Sequence, residues 1–349
     1  MTHTRNFLFP FALTLGCSLL SACGGAPPEA YEALADSLQD DDARGCEGID
    51  AQRHVFRVKI ANGRRLNVVG YLYSRGGVGD KTLLVAVHGA TYTHSYWDAP
   101  RINQHSYSFA CYMARRNYTV LAIDNLGAGE STGEGMIEGD AIRLTDEWDA
   151  LGQLLTQLRA PHHNPIGCGF DKTVLVGHSF GSLASIGTQA AGHPADALIV
   201  TGWSHMPPPG GLPVDNSVIF QLAATPYVRI DGALRTRLYF GPTADPAMIA
   251  YDANHLADHL PRGVFLDSFG AAFNPVLSHA TQVTGKVLVQ LGEHDALFSS
   301  DGNAERAAYP LAQVTAQTLP TVGHCFNLQP ENRHGWSLMD TWLRQNHLR

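Results

Sequence analysis

Thr173-Val174-Leu175-Val176-Gly177-His178-Ser179-Phe180-Gly181-Ser182-Leu183-Ala184-Ser185 decides how this chain reads. A short run of apolar, β-branched residues predicts a strand buried on both faces. The small residues after Gly181 predict a helix. Between them, Gly177-His178-Ser179-Phe180-Gly181 leaves almost no room to turn. The positions flanking the serine must be small, because bulky side chains would clash across so tight a strand-to-helix turn. Such a turn lifts the Ser179 hydroxyl above the sheet edge. The helix start beside it presents free N–H groups and a positive dipole to developing negative charge.

Working outward, strands are expected at 54–60, 66–73, 82–87, 118–123, 197–200, 286–291 and 312–319. Helices are expected at about 104–116, 139–159, 180–192, 303–309 and 334–346. Buried strands alternating with helices predict an α/β fold, a mostly parallel central sheet flanked by helices. The interval 204–283 has no clear buried strand. It holds Pro207-Pro208-Pro209 and scattered aromatic residues, among them Tyr227, Tyr239, Phe265 and Phe273. A structureless loop of that length is unusual in a compact domain, so it reads as a small, mainly helical cap. The core would then comprise 53–203 and 284–349.

The elbow in this setting resembles that of the α/β-hydrolase superfamily, and the likeness spans roughly 53–349. Two further motifs carry it. Val87-His88-Gly89-Ala90 ends the third strand like the superfamily's His-Gly oxyanion loop, and Asp124-Asn125-Leu126-Gly127-Ala128-Gly129-Glu130-Ser131 resembles its D-x-x-G-x-G-x-S turn. The resemblance implies an oxyanion hole made by the backbone N–H groups of Phe180 and Ala90, or Thr91 in place of Ala90. His88 and the Asp124 turn are expected to be structural. A serine hydroxyl needs a histidine to take its proton, and that histidine needs a carboxylate to hold its tautomer. The superfamily order is Ser, acid, His. Asp295 in Gly292-Glu293-His294-Asp295 is the expected acid, with Glu293 as rival, and His324 in Pro320-Thr321-Val322-Gly323-His324 is the expected base.

Export is the second expectation. Arg5 precedes an apolar stretch, and Leu20-Ser21-Ala22-Cys23 followed by Gly24 resembles a bacterial lipoprotein signal. That likeness implies a signal peptide at 1–22, lipidation of Cys23 and sorting to the cell envelope, the outer membrane included. Residues 23–52, with Asp40-Asp41-Asp42, read as a tether. Cys46, Cys111, Cys168 and Cys325 remain, and three complete pairings are open to them, as is the free-thiol state.

The chain has 349 residues and a net charge of −8, without a basic cluster, which argues against nucleic acid as a partner. His255 and His259 stand four apart, but H-E-x-x-H is absent and a solvated helix face is expected there. No metal and no organic cofactor is expected. Tyr92, Tyr96 and Trp97 either line an apolar pocket or pack the loop. Together these readings imply a serine hydrolase for a carboxylic ester or lactone of an apolar small molecule. Thioester, amide, peptide and C–C bond cleavage stay open, as does a non-catalytic binding protein on the same fold.

Overall fold

Continuous apolar runs satisfy both faces of a sheet, and that pattern sets the architecture. The computed structural model describes residues 45–131, 139–162, 164–192, 194–212 and 215–349, all within one compact unit, Asp41–Arg349. The signal stretch and Cys23 lie outside the described residues. Eight strands form the central sheet: β1 (Gln52–Lys59), β2 (Arg65–Ser74), β3 (Leu83–Val87), β4 (Thr119–Ile123), β5 (Thr173–His178), β6 (Ala197–Thr201), β7 (Gly285–Gly292) and β8 (Ala312–Leu319). Their spatial order is β1-β2-β4-β3-β5-β6-β7-β8. β2 runs antiparallel to both its neighbours, and every pair from β4 to β8 is parallel. This is the α/β-hydrolase fold that the resemblance implies, a mostly parallel sheet with helices on both sides.

Side-chain alternation divides the core between the two faces. Leu83, Val85 and Val87 of β3 join a large cluster with helices α2 (Leu144–Arg159) and α3 (Phe180–Ala190). On the other side, α1 (Phe109–Arg115) packs against α9 (Asn332–Gln345), with the Tyr112 and Trp336 rings 5.1 Å apart. Among the described residues, no helix is long and apolar enough to cross a membrane.

One expectation is corrected, and two readings gain detail. The helix expected at about 104–116 is only Phe109–Arg115, because the chain first makes a hairpin, Asp98–Ile102 with His105–Ser108. Asn103 and Gln104 take positive φ (49° and 66°) at its tip, which suits a tight hairpin turn, and the Ser108 hydroxyl then caps α1. Second, the chain is already held to the domain before residue 52. Cys46 is disulfide-bonded to Cys111, and Arg115 donates to the carbonyls of Gly45 and Glu47, both at 2.9 Å. Third, the cysteines are neither fully paired nor all free, since Cys168 and Cys325 remain thiols.

Between β6 and β7 the chain forms α4 (Asn216–Ala224), α5 (Gly232–Tyr239), α6 (Pro246–Tyr251) and α7 (Arg262–Ala271), with one short antiparallel pair, Tyr227–Val228 with Leu260–Pro261. α4 buries none of its residues, and Phe220 is 72% exposed. α8 (Gly302–Arg306) separates β7 from β8.

Candidate active site

β5 ends at His178, and Ser179 turns the chain into α3 with φ 53° and ψ −120°. A non-glycine residue seldom holds such a backbone, and it persists only where the surroundings over-determine it. Here they do. A Cβ at Gly181 would overlap the Val87 carbonyl, and one at Gly177 would overlap the Ser182 backbone. The Ser182 hydroxyl donates to the Thr201 carbonyl (3.0 Å) and accepts from the Thr201 N–H (3.1 Å), clamping the elbow onto β6.

The His88-Gly89-Ala90 loop, expected to supply an oxyanion N–H, lies directly beside this turn. A Cβ on Gly89 would stand 3.1 Å from Ser179 Cβ. Among the described residues, neither Ala90 N–H nor Phe180 N–H has a hydrogen-bond acceptor. His88 braces the loop, as expected: its Nδ1–H donates to the Gly89 carbonyl (2.8 Å), and its Nε2 accepts from Asn125 N–H (3.0 Å). Burial pushes the His88 pKa down, which keeps the ring neutral for that pairing. The Asp124 turn is likewise structural. Burial raises the Asp124 carboxyl, but the His94 ring and backbone outweigh it and hold the carboxyl below its ordinary range.

His324 and Asp295 meet. His324 Nδ1 lies 2.8 Å from Asp295 Oδ2, and Asp295 Oδ1 accepts from the N–H groups of Leu297 (2.8 Å) and Phe298 (3.1 Å). Glu293, the rival, instead accepts from Thr321 N–H (2.9 Å), and its side chain is 51% exposed. His294 is also half-exposed, and the His255 ring packs at a tilt against Tyr251, 4.6 Å between centroids. The His324 ring stands 5.0 Å from that of His178, next in the chain to Ser179. Ser179 Oγ and His324 Nε2 share no hydrogen bond, yet neither is an atom sealed from solvent without a partner. Ser179 is 8% exposed and His324 2%.

Tyr92, Tyr96 and Trp97 are fully buried, which favours packing over an open pocket. Tyr96 stacks on His178, 4.4 Å between centroids and 13° from parallel. Phe298 is the aromatic residue that sequence reasoning missed; its ring is 5.8 Å from His324 and 4.7 Å from Trp203. A cavity of about 480 Å³ lies elsewhere, lined by Gln221, Tyr227, Arg229 and His259 among others.

One contact group was not foreseen. Arg235, on α5, is buried and donates to both carboxylate oxygens of Asp252, at 2.6 and 2.9 Å. Its Nη1 also reaches Thr91, and Tyr239 at the end of the same helix accepts Cys325 N–H at its carbonyl (2.8 Å). Nothing in the spacing of Arg235 marked it, because an isolated arginine in a polar-looking helix ordinarily reads as surface.

The same architecture recurs among solved structures. A soluble variant of monoglyceride lipase from Saccharomyces cerevisiae is 17% identical with a TM-score of 0.59, over 84% of this chain and 96% of that one. The monoacylglycerol lipase of Paleococcus ferrophilus is 14% identical with a TM-score of 0.58, over 85% and 99%. A carboxylesterase from Bacillus subtilis is 14% identical with a TM-score of 0.53, over 89% and 97%. At such identities the likeness is one of fold. No curated protein matches. The model of the alpha/beta hydrolase family, by contrast, matches the sequence itself over residues 84–333, which takes in the elbow, the Asp295 loop and the His324 loop. This chain belongs to the alpha/beta hydrolase family.

Proposed function

We propose that the protein is a serine hydrolase that cleaves a carboxylic ester or lactone of an apolar small molecule through an acyl-enzyme. The observation that carries this reading is the 2.8 Å contact of His324 Nδ1 with Asp295, beside the strained elbow at Ser179. With the Nδ1 proton donated to the carboxylate, Nε2 keeps its lone pair and can act as base. His324 takes the Ser179 proton as Oγ attacks the ester carbon. The oxyanion settles on the N–H groups of Phe180 and Ala90. Collapse expels the alcohol, which receives its proton from His324. Water, deprotonated by His324, then attacks the acyl-enzyme and releases the acid and the free Ser179 hydroxyl. The scheme calls for no metal and no organic cofactor. Attack requires the Ser179 hydroxyl to close onto Nε2, and catalytic hydrogen bonds are often long before substrate binds. Phe298 beside His324, itself packed on Trp203, favours an apolar acyl group. A monoglyceride lipase and a carboxylesterase among the structural neighbours agree with ester chemistry. Thioester, amide, peptide and C–C bond cleavage would use the same residues.

Labelling with a fluorophosphonate tests the reading. The wild type and Ser182→Ala should label, and Ser179→Ala should not. The missing Ser179–His324 hydrogen bond is the one observation that favours a non-catalytic binding protein, and a folded wild type that takes no label would establish that alternative. Ester and peptide substrates offered side by side separate an esterase from a peptidase.

We further propose that the protein is exported and anchored to a bacterial envelope membrane through lipidated Cys23, with 204–283 acting as a cap over the core. The disulfide between Cys46 and Cys111 suits an oxidising compartment. Radiolabelled palmitate should enter the wild type and not Cys23→Ala.

A further inference from the structure

Thr91 follows the oxyanion-loop residue Ala90 and has φ 60°. Threonine is β-branched and strongly disfavours this left-handed backbone, so the loop needs outside support to keep it. That support comes from the segment between β6 and β7. Arg235 Nη1 donates to Thr91 Oγ1 at 2.9 Å and reaches its carbonyl at 3.4 Å. The same carbonyl accepts Asp258 N–H at 2.9 Å, and the Tyr239 hydroxyl lies 3.2 Å from Thr91 Oγ1. Arg235 is itself immobilised. Asp252 binds it through two parallel hydrogen bonds, and the guanidinium carbon sits 4.2 Å over the Tyr92 ring and 4.9 Å over the Tyr239 ring. Both charged partners are 1% exposed. A planar fork with fixed donors suits this task, since it can serve a carboxylate on one edge and a neighbouring acceptor on the other.

We infer that Arg235, locked by Asp252, is a positioning residue that holds Thr91 in its left-handed conformation and thereby aims the Ala90 N–H at the oxyanion. The inference rests on the hydrolase reading above. It makes the segment between β6 and β7 more than a cover. Oxyanion stabilisation depends on that segment being folded onto the core, although Arg235 itself touches neither the nucleophile nor the base among the described residues.

Removing one partner alone would strand a buried charge, so the test replaces both with Arg235→Met and Asp252→Leu in one variant. Melting and near-ultraviolet circular dichroism report whether it folds. The readouts are turnover of a short-chain nitrophenyl ester and affinity for phenylboronic acid, which becomes tetrahedral on adding Ser179 Oγ. In a folded double variant, kcat should fall about 10- to 100-fold, the scale of a misplacement near 1 Å. Boronate affinity should fall in parallel, with KM changing only about threefold or less. A purely structural role would lower the melting temperature without touching boronate affinity. If the double variant does not fold, Arg235→Lys carries the test. It keeps a charge for Asp252, but one ammonium cannot serve both Asp252 and Thr91, so it should show the same parallel loss in kcat and boronate affinity. A folded variant with wild-type kcat and boronate affinity overturns the inference and leaves the hydrolase reading standing. A folded wild type that takes no fluorophosphonate overturns the hydrolase reading, and this inference with it.

Discussion

Asp295 holds His324 with one oxygen and is itself held by the backbone with the other. Oδ2 lies 2.8 Å from His324 Nδ1, while Oδ1 accepts from Leu297 and Phe298 N–H. The carboxylate therefore cannot rotate away without breaking two hydrogen bonds, and the imidazole inherits that fixed orientation. Asp295→Asn keeps the shape but offers an amide that can donate where the carboxylate could only accept. It should lower kcat by roughly 10³–10⁴ with little change in melting temperature. Glu293→Gln, on the exposed side of the same loop, should leave kcat near the wild type. Equal losses in the two variants would remove Asp295 from the mechanism.

Glu147 sets a pH dependence of stability. It is fully buried on α2, where burial raises its pKa from 4.5 to about 8. Its Oε2 accepts from Leu126 N–H at 3.2 Å, and its Oε1 has no partner among the described residues. Between about pH 4.5 and 8 the folded protein keeps this proton and the unfolded chain loses it, so stability falls as pH rises through that window. Glu147→Gln should match the wild type near pH 4 and exceed it near pH 8, by an amount on the order of a few kcal/mol. Denaturant melts at both pH values check this, and a gap that does not widen with pH would refute it.

The disulfide closes a loop with a sequence separation of 65 residues. Reducing it, or replacing Cys46 and Cys111 by serine, should cost about 2–4 kcal/mol, mostly by loosening the unfolded chain. Differential scanning calorimetry with and without reductant measures this. Because the bridge lies at α1, away from the elbow, activity at a temperature well below the melt should survive.

The two thiols should react unequally. Cys325 is fully buried, lies 3.6 Å from His178 Nε2, and receives the Tyr92 hydroxyl at 3.4 Å; burial pushes its pKa well up. Cys168 is half-buried. Iodoacetamide should modify Cys168 in the folded protein and reach Cys325 only after unfolding, with hydrolysis retained after the first step. Mass spectrometry of the peptides decides it, and early loss of activity with Cys325 modified would give that thiol a role the geometry does not suggest.

Much of this architecture was legible from residue order alone. The inner strands β3 to β7 announced themselves as apolar runs, because a strand buried on both faces has no polar side to disguise it, whereas the outer strands β1, β2 and β8 mix polar and apolar residues. The elbow was legible because its glycines answer a local steric demand, and local demands are written in neighbouring residues. The hairpin at Asp98–Ser108 was missed because its signal was two polar residues at positive φ, a weak cue beside a helix-like sequence. The choice between Asp295 and Glu293 was stated but not settled by order in the chain. It depended on which carboxylate the loop turns inward, and that is set by contacts with residues about 30 positions away. The disulfide partner of Cys46 and the reach of Arg235 to Thr91 were invisible for the same reason. Local sequence specifies local backbone through sterics and hydrophobic period, whereas pairing between distant side chains exists only once the sheet has brought them within hydrogen-bonding range.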